Sequence, residues 1–237
     1  MILETNHVNM FSLTTPGSFV YSEGTHPTIV NAWTGGYLAL PEDASHYIMV
    51  YSGRAFIGHR GEMKAVEEGC YGVFPGRAEL TGEGVALVVS CSGYRALAMQ
   101  GGPVEDTGRL RYIDRCTNTV LLPPPVRGEP CLNFLHLGAG VTQTPHTHPT
   151  IRIGIVLKGN GACGTAHGTL PMTVGSLFVI PPETLHSFQA SNESMKIIIF
   201  HPDSVDGPSH ASNTMLNNTF IDGTTAQGAS HLRTQER

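Results

Sequence analysis

The sequence predicts an all-β chain, and three observations carry that prediction. Apolar runs of strand length recur between Gly and Pro punctuation. No window sets apolar residues at i, i+3, i+4, i+7 between helix caps. Glycine accounts for 28 of the 237 residues, well above the average of about 7%, so turns are frequent. In chain order the runs are Thr28 to Trp33, Tyr37 to Leu40, Tyr47 to Tyr51, Val85 to Ser90, Leu132 to Leu137, Ile151 to Leu157, Leu177 to Ile180 and Met195 to Phe200. Each is too short for a helix and is bounded by turn-forming residues, which is the pattern of a sandwich or barrel. A hydrophobic fraction of 40% with 14% charged residues excludes general disorder and coiled coil.

An internal repeat sets the organisation. Shifted by 106 residues, Gly53 falls on Gly159, Gly58 on Gly164, Gly69 on Gly175 and Pro75 on Pro181, while Ile48 to Val50 falls on Gly154 to Val156. Gly and Pro mark corners of special backbone geometry, so the same corners occur twice and the chain reads as two copies of one β unit. The predicted division is residues 1–105 for the first barrel, 106–129 for a connecting segment containing Pro123, Pro124 and Pro125, 130–202 for the second barrel, and 203–237 for a polar tail, partly disordered. In that tail Met215, Leu216, Phe220 and Ile221 form one apolar patch that can pin it to the barrel.

Charge narrows the function. With 14 Lys and Arg against 19 Asp and Glu the net charge is −5, and no basic run offers a footprint for nucleic acid. The longest apolar stretches, such as Val85 to Val89, are strand-sized, and the start MILETNHVNM has neither a cationic nor an apolar leader segment. These features predict a cytoplasmic protein that binds neither nucleic acid nor membrane. The five cysteines, Cys70, Cys91, Cys116, Cys131 and Cys163, are scattered singly, which reads as reduced, buried thiols rather than a disulfide framework. Cys163 is the one whose reading depends on its distance from the site below.

That site begins at His146 and His148. On a strand, side chains at i and i+2 emerge from one face, so two imidazoles can grip one cation. His186 follows thirty-eight residues later, where an antiparallel unit can return beside the first strand. Three histidines leave coordination positions open for water or substrate, as a catalytic centre requires.

The arrangement Gly140, His146, His148, Arg152, Gly159, followed by Gly175, Pro181, His186, resembles the two motifs of the cupin superfamily, and HTHPTIRIGIVLKG is similar to the corresponding stretch of germins. The resemblance is close over 132–200 and reaches the first copy only through the repeat. It implies two tandem cupin barrels, a bicupin of double-stranded β-helix or jelly-roll type, with one divalent metal ion per chain. Iron is the expected metal, with manganese, nickel or zinc as alternatives. Arg152 stands where the family usually has a ligating Glu. A guanidinium cannot ligate, so the expected ligands are His146, His148 and His186 alone, and Arg152 either faces an anionic substrate beside the metal or turns outward to a salt bridge. Glu183 and Ala190 replace the usual Gly and Asn, and Glu183 reads as an exposed turn residue.

In the first copy the same offset puts Leu40, Glu42, His46 and Leu80 opposite His146, His148, Arg152 and His186, so that barrel is expected to hold no metal. The other histidines, His7, His26, His46, His59, His136, His167, His201, His210 and His231, read as surface or hydrogen-bonded structural residues. The resemblance to cupins implies, as the leading reading, a non-haem iron dioxygenase acting on a small anionic or bidentate organic substrate, with small-molecule substrate as the expected partner. The alternatives are a non-redox lyase or isomerase, or a non-catalytic small-molecule-binding module. Apolar residues on both faces of Ile151 to Leu157 predict a cover by the other barrel or a second subunit, and a homo-oligomer, dimer or higher, is expected.

Overall fold

A computed structural model describes residues 3–4, 7–205 and 207–229. All eight apolar runs are strands, the longest being Ala44–Ser52 and Val85–Ser92. They assemble into two barrels, each a large sheet facing a small one. In the first, strands Gly17–Tyr21, Thr28–Trp33, Ala44–Ser52, Tyr71–Pro75, Val85–Ser92 and Met99–Gly101 make a six-stranded sheet opposite a four-stranded sheet containing Arg54–His59 and Ala78–Gly82. In the second, a seven-stranded sheet containing Cys131–Leu137, Arg152–Lys158, Ser176–Ile180 and Met195–His201 faces a three-stranded sheet of Gly161–Thr165, Gly168–Met172 and His186–Ala190.

The repeat corresponds to real corners. Gly53 and Gly159 both adopt positive φ, 70° and 77°, as do Gly69 and Gly175 at 73° and 83°, a region that penalises any residue carrying a Cβ. Two boundaries differ from the sequence reading. Strand Asn9–Ser12 pairs with Ser176–Ile180 of the second barrel, so the first residues of the chain cross to the far sheet. The segment 106–129 is more than a connector, because Leu110–Arg111 and Thr117–Leu122 extend the second barrel's sheet through Cys131–Leu137. Within 203–237 the described residues include a short helix, Thr214–Asn217, and a hairpin of Phe220–Ile221 with Thr224–Thr225. Met215 and Phe220 are exposed there. The final residues, including His231, lie outside the described part.

Alternation along the strands explains three separate cores. Val156, Phe178, Phe188, Ile197 and Ile199 fill the second barrel, and Trp33, Leu40, Ile48, Phe74 and Leu80 fill the first. Between the large sheets lies a third core that draws Met49, Val73 and Leu87 from one barrel and Ile153, Ile155, Leu177, Ile198 and Phe200 from the other. The Tyr47 hydroxyl crosses this interface to donate to the Pro130 carbonyl at 2.9 Å. The apolar outer face of Ile151 to Leu157 is therefore covered by the first barrel, within one chain.

Candidate metal centre

The second barrel is not filled at one end. There a cavity of about 350 Å³ opens among Asn133, Leu135, Gln143, His146, His148, Arg152, Ile180, His186, Phe188, Ile199, His201 and Asp203. His146 and His186 meet as a directly opposed antiparallel pair, exchanging backbone hydrogen bonds of 2.9 and 3.0 Å. His148 joins them from a different geometry than the sequence suggested. The H-x-H segment is not a strand, because the bridge at His146 is isolated and Pro145 and Pro149 lack the N–H groups that a ladder would need. The chain turns after His146, and the Glu183 N–H donates to the His148 carbonyl at 2.8 Å, which fixes where the second imidazole stands. Glu183 is exposed, as expected for a turn residue, and its φ of 55° lies in the region that the more usual glycine would occupy.

One nitrogen from each of the three imidazoles lies within 4.8 Å of the others, so a small inward movement of the rings would let all three reach a single ion at bonds of about 2.1 Å. The Nδ1 atoms of His146 and His186 each face a backbone carbonyl, Thr144 and Thr184, both at 2.8 Å. That contact places the proton on Nδ1 and leaves Nε2 as the ligating atom. The Thr144 carbonyl is itself placed by Asp114, whose carboxylate accepts from the Thr144 N–H at 2.5 Å and hydroxyl at 3.2 Å. Burial, then the Arg152 guanidinium and the neighbouring imidazoles, bring His148 down to about 3. His186 falls to about 4, with burial first among the causes. Both are neutral at physiological pH, the form that binds metal. The donor set therefore fits one divalent ion held by three imidazoles.

Arg152 lies in the cavity wall, 8% exposed. Its Nη1 donates to the Ile151 carbonyl at 3.1 Å, the Thr150 carbonyl at 3.2 Å and the Thr150 hydroxyl, and stands 3.8 Å from Asp203. It thus both faces the cavity and touches an acidic neighbour, combining the two directions left open by the sequence. Burial pulls its pKa down while Asp203 opposes the shift, and a guanidinium stays charged at neutral pH.

Sequence reasoning missed several lining residues. His201, read as structural, lines the cavity next to Asn133, 3.5 Å from its Nδ1. Burial, then Arg152 and His148, hold His201 well below its usual range. Alternation was the available signal, since Ile197 and Ile199 on the same strand belong to the second barrel's core and His201 continues their face. Asp203 and Tyr112 carried no motif. Cys163, in contrast, packs in the barrel core away from the cavity lining, its thiol pushed up to about 12 by burial.

In the first barrel the corresponding positions are apolar. Leu40 pairs with Ala78 as His146 pairs with His186, and His59 pairs with Ala78 as Thr165 pairs with His186. Ala78, not Leu80, is therefore the counterpart of His186. The 106-residue offset fails there because five positions separate Pro181 from His186 but three separate Pro75 from Ala78. His46 does occupy the Arg152 position, but it is buried and bonded to the Ser90 hydroxyl at 2.8 Å and to the Pro41 and Gly76 carbonyls at 3.0 Å.

The whole architecture is shared with known proteins. A "Cupin 2 conserved barrel domain protein" from Leptotrichia buccalis superposes with a TM-score of 0.57 at 14% identity, covering 86% of this chain and 92% of that one. The chain is a bicupin in fold. The bicupin also resembles a salicylate 1,2-dioxygenase from Pseudaminobacter salicylatoxidans, with a TM-score of 0.59 at 11% identity over 84% of this chain and 85% of the other. Oxalate decarboxylase from Bacillus subtilis, described with Mn(II) centres, gives 0.52 at 11% identity over 82% and 77%. By sequence, the model of an AraC-like ligand binding domain matches residues 139–222. No curated protein matches the sequence.

Proposed function

We propose that this bicupin is a metal-dependent enzyme and, within that class, a non-haem iron dioxygenase acting on a small anionic or bidentate organic substrate. One observation carries the reading: three imidazoles converge on one point in the wall of a cavity that also presents the Arg152 guanidinium. His146, His148 and His186 would hold the metal, which supplies Lewis-acid polarisation or a redox centre at its remaining positions. The chain's own residues do the rest. Arg152 binds and orients the anionic part of the substrate, and Leu135, Ile180, Phe188 and Ile199 keep water from its body, which strengthens each polar contact inside. Iron is the proposed metal, with manganese, nickel and zinc as alternatives. Salicylate dioxygenase among the structural neighbours supports the oxidative reading, and oxalate decarboxylase supports a non-redox one.

The test is elemental analysis of protein purified without added metal, followed by oxygen uptake with salicylate and related small acids. Oxygen consumed in step with substrate supports a dioxygenase. Equal turnover without oxygen favours a lyase or isomerase.

A second reading has its own support, because the ligand-binding family model covers all three histidines and Arg152. Tight small-molecule binding without turnover would identify a sensing module. No helix among the described residues is long and apolar enough to cross a membrane, and five cysteines outside any disulfide suit a cytoplasmic location. A homo-oligomer is part of the proposal, to be checked by sedimentation, although the sheet faces that suggested it are covered within the chain.

A further inference from the structure

A second pair of imidazoles meets outside the three-histidine cavity. The rings of His7 and His167 lie 4.2 Å apart, centroid to centroid, at a tilt of 45°. Within the three-histidine centre the separations are 4.6, 5.1 and 5.2 Å, and His186 is tilted by 53° and 49° to its two partners. The second pair is therefore closer than any pair of the centre, at a similar tilt. Its two rings come from separate segments, and each is held. The buried Asn9 amide donates to the His7 carbonyl at 2.8 Å and the Glu4 carbonyl at 2.9 Å, and accepts from the Glu4 N–H at 2.7 Å, which closes the loop that presents His7. His167 sits in the turn between Gly161–Thr165 and Gly168–Met172, where its N–H donates to the Thr165 hydroxyl at 3.2 Å. Both rings line a cavity of about 250 Å³ together with Glu183 and Thr184.

We propose that His7 and His167 form a second, weaker metal site for a divalent ion that favours imidazole, and that the bound ion latches the N-terminal strand to the small sheet of the second barrel. Imidazole suits zinc, nickel and copper, and two rings already in contact need little movement to share one ion. Glu183 does not close a three-ligand group with them. Its carboxylate, which accepts from the Thr147 hydroxyl at 3.3 Å, instead adds negative charge to the cavity, and water completes the shell. Two protein ligands hold an ion less firmly than three, so this site fills from added metal. Protein purified without added metal carries only the ion of the three-histidine centre. The latch joins parts that strand pairing leaves separate. Among the described residues, Asn9–Ser12 pairs with Ser176–Ile180 of the large sheet, whereas the turn bearing His167 belongs to the small one.

Zinc is the probe, added to the full chain as purified and followed by equilibrium dialysis with elemental analysis. The wild-type protein should take up one more zinc ion per chain than either His7→Ala or His167→Ala. In each variant the affinity for that ion should fall by at least about tenfold, since even residues behind a ligand contribute that much. His167 is exposed, so its replacement leaves the fold intact and decides the question if His7→Ala does not fold. Amide hydrogen exchange over Asn9–Ser12 reads the latch itself. Zinc at ten times its dissociation constant should slow that exchange by about tenfold in the wild type and leave it unchanged in His167→Ala. Equal zinc uptake by the wild type and His167→Ala, or exchange over Asn9–Ser12 that zinc does not slow, would overturn the proposal. Both variants keep His146, His148 and His186, so either failure leaves the reading of the three-histidine centre standing.

Discussion

Single side chains decide how the two barrels differ. His46 stands where the second barrel has Arg152, and burial, as the largest influence, lowers its pKa, with His59 adding to the shift and the Pro41 and Gly76 carbonyls and Asp43 opposing it. Because the folded value lies below 6.5, the unfolded chain binds the extra proton first. The contribution of His46 is therefore complete above about pH 6.5 and declines on acidification, by at most about 1.4 kcal/mol per pH unit, until the folded value is reached. His46→Gln should be less stable at pH 7.5 but lose stability less steeply between about pH 6.5 and 5. Chemical denaturation across that range checks this, and parallel acid limbs for the two proteins would refute it. At the metal centre, Asp114→Ala should loosen the hold on Thr144 and hence on His146, lowering metal affinity by up to about tenfold. A chelator competition measures it, and unchanged affinity would show that the His146 orientation is set elsewhere. The three-histidine cluster was legible because metal binding would fix residue type and spacing together. Asp114, His201 and Asp203 were not, because hydrogen-bond support and cavity lining depend on which strands become neighbours.

Elements were legible where hydrophobic runs met fixed corners. Gly159 shows why such corners are tied to one residue: its φ is positive and an added Cβ would lie 2.1 Å from the Ser194 carbonyl oxygen. Gly164, also a repeat position, would bring a Cβ to 2.9 Å from the Ser187 hydroxyl, which can rotate aside. Gly159→Ala should cost more than about 2 kcal/mol and Gly164→Ala less than about 1 kcal/mol. Denaturation midpoints would check the pair, and equal losses would contradict the account. The H-x-H segment departs from the expected strand because Pro145 and Pro149 lack the N–H donors that a ladder needs. The strand Asn9–Ser12 was placed in the wrong barrel for another reason. Its partner, Ser176–Ile180, is far away in sequence, and local composition carries no information on such pairing.

At the scale of the molecule, the two barrels share a core and strand Asn9–Ser12 joins the second barrel's large sheet, whereas the first barrel's large sheet is made of its own strands. A single unfolding transition is expected in calorimetry, and two resolved transitions would show that the shared core contributes little. The same shared core explains the continuous apolar strands that first suggested a second subunit. The central claim is that duplication of the fold was not duplication of the chemistry: apolar Leu40 and Ala78 stand in the first barrel where His146 and His186 line a cavity in the second. The most direct test is native mass spectrometry combined with elemental analysis of the wild-type protein and of His148→Ala and His59→Ala variants. The account predicts one metal ion per chain, lost in His148→Ala and retained in His59→Ala. Two ions per chain, or one that survives the loss of His148, would contradict it.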